Sequence, residues 1–80
     1  MFTSAQLRAA RAMLKWSLAD LSEKSGIGTS TLKRFEAADG MPNGHMSTFA
    51  KLNEIFLDAN IEFIGSPEDG PGVRLRKVKS

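Results

Sequence analysis

Apolar residues recur at helical spacing through the first three quarters of the chain and give way to strand-like alternation after that. Leu7, Ala10 and Leu14 stand three and four residues apart and line one face of a first helix, expected to run to about Lys15. Thr3-Ser4-Ala5-Gln6 before it has the form of a capping box: the hydroxyl accepts from an unpaired amide and the glutamine reaches back. Ser17, with Asp20 three residues on, opens a second helix bearing Leu18 and Leu21. Trp16 is expected to pack the start of that helix against the first. A third helix, from about Gly28 to Ala37, carries Leu32 and Phe35 one turn apart, and Asp39-Gly40-Met41-Pro42 breaks it. Phe49, Leu52, Phe56 and Ala59 repeat at 3, 4 and 3 residues on a fourth helix, from about His45 to Ala59. Met46, Ile55 and Leu57 widen that stripe.

Ile61-Glu62-Phe63-Ile64 is short, β-branched and aromatic, and Val73-Arg74-Leu75-Arg76-Lys77-Val78 at first alternates apolar with basic residues. The division expected is a helical domain over residues 1–60 and a strand extension over residues 61–80, ending in a basic tail. Two strands alone are marginal in water, and the eight residues Gly65 to Gly72 are too many for a tight hairpin turn. Pairing with the same strands of a second subunit, through Ile61, Phe63, Val73 and Leu75, is therefore predicted. A loose hairpin packed on helix four of its own chain is the alternative.

The stretch Leu18 to Ala37, LADLSEKSGIGTSTLKRFEA, says most about function. Its two short helices are joined by Ser25-Gly26-Ile27, where a glycine takes positive φ without steric cost and turns the chain sharply. Ile27 follows as an apolar plug. Facing outward on the second helix are Thr29, Ser30, Lys33 and Arg34, hydroxyls and cations with no carboxylate before Glu36. Such a surface suits phosphates and base edges.

Leu21, the Glu23-Lys24-Ser25-Gly26-Ile27 turn, Thr31-Leu32 and Arg34-Phe35-Glu36 make this stretch resemble the lambda-repressor-like, Xre-type helix-turn-helix transcriptional regulators. The resemblance extends back through Leu7 to Ser17 and forward to about Leu57, roughly two thirds of the chain. With the strands added, the expected fold is mainly α: a bundle of four to five helices with a short C-terminal two-stranded β extension.

In helix-turn-helix geometry the first turn of the second helix enters the major groove, so Thr29, Ser30 and Arg34 are the candidate base contacts. Arg34 lies four residues after Ser30 on the same side and suits a bidentate bond to guanine, with a phosphate contact as the alternative. Lys33 is assigned to a phosphate. Gly28 offers an amide at a helix N-terminus, which favours an anion. Asn43 and His45 fall in the loop that members of the resembled family lay along the DNA backbone, although an ordinary surface role fits His45 equally well. The resemblance also implies a semi-buried ion pair between Arg11 and Glu36, tying the first helix to the third, where two separate solvated charges are the alternative. Family members usually have glutamine at the position of Leu18 and serine or threonine at that of Gly28. Leucine cannot anchor a phosphate, and glycine is the weaker cap.

Charge sharpens this picture. The net charge is only +2, and Arg74, Arg76, Lys77 and Lys79 crowd the last seven residues. Without those four, seven basic and nine acidic side chains leave a net −2, so affinity for nucleic acid must come from local patches. Eighty residues support one small core. There is no cysteine and a single histidine, so neither a metal site nor a cofactor is expected. No apolar run approaches the ~20 residues of a membrane span, and no signal-peptide stretch stands at the N-terminus, so a cytoplasmic protein without a membrane partner is expected. No acid pair stands beside a nucleophile, and Glu68-Asp69 reads as turn chemistry, which argues against an enzyme. The reading reached is a DNA-binding transcriptional regulator, a repressor, acting as a homodimer on a palindromic double-stranded operator. The alternative is an antitoxin or anti-activator type module that binds another protein through its C-terminal strands.

Overall fold

The computed structural model describes residues 2–38 and 44–76. Along them run α1 (Ser4–Leu14), α2 (Leu18–Ser25), α3 (Thr29–Ala37), α4 (Met46–Asp58), β1 (Ile61–Ile64) and β2 (Gly72–Leu75). The expected breaker at positions 39–42, Asn43 and the tail residues Lys77, Val78 and Lys79 lie outside the described residues.

The helix starts follow from local chemistry. Thr3 Oγ1 accepts from the Gln6 amide at 3.1 Å while Gln6 Oε1 accepts from the Thr3 amide at 2.7 Å, satisfying two of the amides that a helix leaves unpaired. Ser17 and Asp20 repeat the arrangement at α2, and the bonds from Ser17 hold the Asp20 carboxyl below its ordinary pKa. Gly26 ends α2 at φ 73°, its amide bonded to the Ser22 carbonyl at 2.8 Å. The turn is then pinned by side chains: Ser22 Oγ donates to the Ile27 carbonyl at 2.6 Å, and Ser25 Oγ accepts from the Ile27 amide at 3.1 Å. Ile27 packs against the core, as a plug should.

Helices and hairpin share one core, built on Leu7, Ala10, Leu21, Leu32, Leu52 and the aromatic rings. All five phenylalanines and the single tryptophan form one unbroken series of ring contacts. The order is Phe35, Phe49, Phe2, Phe63, Phe56, Trp16, with centroids 4.8–5.7 Å apart, inside the range in which aromatic pairs gain more than their buried area. Trp16 reaches beyond the two helices it joins: its ring stacks on Phe56 of α4, with Lys24 Nζ of α2 4.9 Å from its centroid. His45 and Ala59, the expected limits of the fourth helix, are the N-cap and C-cap of α4.

The strands give the main correction. β1 and β2 pair antiparallel within one chain, in the register Ile61↔Leu75, Glu62↔Arg74, Phe63↔Val73 and Ile64↔Gly72. Two features explain why the intrachain hairpin forms. Ile61 is buried, and Phe63 and Val73 pack against the helical core, which is incomplete without them. Gln6 Nε2 also donates to the carbonyls of Ile64 at 3.1 Å and Gly72 at 2.8 Å, so the far end of the hairpin is bolted to α1. The long loop is accommodated because its backbone pinches: Gly65 has φ 75°, and a side chain there would run into the carbonyl of Gly70. Outside, Glu62 accepts from Arg74 Nη2 at 2.7 Å and from Arg76 Nη1 at 3.3 Å. The Arg74 bond, chiefly, draws the Glu62 carboxyl below its ordinary pKa.

Candidate nucleic-acid interface

The placement of α3 begins with its inward face. Leu32 and Phe35 are buried in the core, and Glu36, the only carboxylate of this helix, is buried beside them. Arg11 meets it from α1 with a two-pronged contact, Nε to Oε2 at 2.6 Å and Nη2 to Oε1 at 2.9 Å. Arg11 Nη1 donates to the Trp16 carbonyl at 2.8 Å, so the same guanidinium also braces the α1–α2 link. The hydrogen bond to Glu36 raises the Arg11 pKa further above its ordinary value, outweighing the opposing effect of burial. Arg11 is therefore committed to the fold and not offered to a phosphate.

Two further side chains of α1 hold the C-terminal end of α3. Ser4 donates its hydroxyl proton to the Phe35 carbonyl, and Arg8 donates to the Glu36 carbonyl. Carbonyls of the last helical turn have no intrahelical partner and carry the negative end of the helix dipole, so hydroxyl and cationic donors are favoured there. Sequence reasoning missed both residues. The signal was their spacing with Arg11, since Ser4, Arg8 and Arg11 stand at i, i+4 and i+7 on one stripe of α1.

With the acid turned inward, the outward face of α3 holds Ser30, Lys33, Arg34 and Ala37, all exposed, with Thr29 exposed in the first turn. Among the described residues, no carboxylate pairs with Lys33 or Arg34. Arg34 Nη2 donates to Thr31 Oγ1 at 3.3 Å. A groove of about 590 Å³ separates α3 from the start of α4 and brings Arg34 and His45 together, with Ile27, Thr31, Phe35 and Thr48 in its lining. His45 is the N-cap of α4 and makes no side-chain cap bond. Lys33 is not part of that lining, and Asn43 lies outside the described residues. Leu18 is half-buried and packs against the core from the first position of α2, where an anchoring glutamine would project.

Gly28 caps α3 through its carbonyl, which accepts from the Leu32 amide at 3.1 Å, and supplies no side-chain cap. Its backbone is extended, at φ −62° and ψ 147°, and a Cβ there would meet nothing within 4 Å. Gly28→Ser is therefore expected to stabilise the protein by about 0.5–1 kcal/mol, by capping α3 and restricting the unfolded chain. A rise in the urea midpoint at constant slope is the check.

Two short helices joined across a glycine turn, with the second braced from behind and its outer face cationic, define a helix-turn-helix domain. Comparison with protein-family models agrees: residues 7–47, just over half of the chain, match a helix-turn-helix family. The chain belongs to that family, the Xre-type, lambda-repressor-like helix-turn-helix proteins, a family of DNA-binding regulators. The matched stretch begins inside α1 and ends in the first turn of α4, so the hairpin lies beyond it. No curated protein and no solved structure matches the chain significantly. Among the described residues, no helix is long and apolar enough to cross a membrane.

Proposed function

We propose that the protein binds double-stranded DNA sequence-specifically as a homodimer and represses transcription from a palindromic operator. The observation that carries this reading is the sorting of charge on α3: Glu36 is taken inward by Arg11, and only hydroxyls, cations and a small alanine remain outside. A helix so sorted meets the polyanion without repulsion. In this reading Thr29, Ser30 and Arg34 contact base edges, while Lys33, the Gly28 amide, His45 and Asn43 contact phosphates. One arginine and two hydroxyls discriminate weakly per half-site. Two copies spanning half-sites ~34 Å apart make the second engagement intramolecular. Because Ile61, Phe63 and Val73 are turned toward their own core, the dimer contact is assigned to the exposed part of the hairpin around Leu75, 46% exposed.

The test is selection of duplexes from a random library by the full chain, followed by fluorescence anisotropy at two salt concentrations. Arg34→Ala is expected to lose about 1–3 kcal/mol of discrimination at one base pair. Lys33→Ala is expected to weaken all duplexes alike and lower the salt slope by about 1. A library that yields no enriched sequence, with binding that disappears as salt rises, would reject the reading in favour of a protein-binding module.

A further inference from the structure

We propose that Thr31 is a positioning residue for Arg34, holding the guanidinium in the conformation from which it reads a base; this rests on the base contact proposed above. Thr31 stands one turn N-terminal to Arg34, and its Oγ1 accepts from Arg34 Nη2 at 3.3 Å. The bond fixes the guanidinium on the N-terminal side of Arg34, toward the end of α3 that enters the groove in this reading. The nearest acid in sequence does not compete for it, because both carboxylate oxygens of Glu36 are engaged by Arg11 on the inner face. Thr31 is suited to the task. It is half-buried at the edge of the α3–α4 groove, and its β-branched side chain has few χ1 states in a helix, so the acceptor is stiff. An arginine has many rotamers, and fixing it before association lowers the ordering cost of binding. Thr31 thus contributes to specificity without touching a base.

The experiment compares Thr31→Val, which keeps the shape and removes the acceptor, with Thr31→Ser, which keeps the acceptor. The probes are a duplex selected by the unmodified protein from a random library and its single-base-pair variants. Thr31→Val is expected to lose about 5-fold in discrimination at the base pair that Arg34→Ala relaxes, Thr31→Ser to retain it, and Thr31→Val to have no effect in the Arg34→Ala background. In the free protein, ¹⁵N relaxation at Arg34 Nε is expected to show greater mobility in Thr31→Val at an unchanged unfolding midpoint. A Thr31→Val loss that persists without Arg34, or unchanged Nε mobility, would overturn the proposal. If Arg34→Ala leaves base preference untouched, the base reading itself falls, and the relaxation result alone decides whether Thr31 restrains the side chain.

Discussion

Truncating Phe2 to alanine is expected to cost about 3–5 kcal/mol. The reason is its place in the series of rings. Phe2 is 1% exposed, stacks on Phe63 of the hairpin at 4.8 Å, and tilts against Phe49 of α4 at 5.1 Å. Its removal deletes both ring contacts at once and leaves a cavity between α1, α4 and β1, which surroundings fixed by Gln6 and the Thr3 cap cannot easily close. For a domain of this size, total stability is about 4–12 kcal/mol, so much of it would go. Urea denaturation measures the loss. Amide exchange should show the hairpin amides losing protection well before those of α2 and α3. A cost below about 1 kcal/mol would mean that the ring is not part of the core.

The second large effect is expected at the pair behind α3. Glu36→Ala should cost about 3 kcal/mol, the lower end of the range for breaking a buried ion pair, because the Arg11 side chain keeps 25% of its surface exposed. Arg11→Ala should cost more, about 4–5 kcal/mol, since it strands a carboxylate only 9% exposed and also removes the donor to the Trp16 carbonyl. Replacing both, as Arg11→Met with Glu36→Leu, should recover much of the loss, because two well-packed apolar groups leave no charge unsatisfied. Thermal unfolding of the three variants at one pH ranks them. Equal and small losses in the single variants would place the pair among weak surface contacts. The consequence for the proposed DNA contact is geometric: α3 is oriented by donors from α1, so loosening this pair moves Ser30 and Arg34 together relative to the rest of the fold.

The helix boundaries and the outward face of α3 are legible in the sequence, because they are local. The caps at Thr3 and Ser17 join residues three apart, the Gly26 turn needs only a backbone preference, and the outward face of α3 follows from where Leu32 and Phe35 must point. The pairing of Arg11 with Glu36 was legible only through the family resemblance, since nothing in the spacing of two charges twenty-five positions apart makes them meet.

Local order and the composition of the outer face of α3 were thus determined by the sequence itself, through interactions that reach no further than a helical turn. The tertiary structure alone decided the rest. The strands close on their own chain instead of a partner's because the core lacks Ile61, Phe63 and Val73 until they dock and because Gln6 meets the carbonyls of Ile64 and Gly72 across the fold. Phe2 became central, Trp16 turned to α4, and Ser4 and Arg8 took up the end of α3 for the same reason: each meets a partner far along the chain, and local spacing, which puts Ser4 and Arg8 on one stripe with Arg11, does not name that partner.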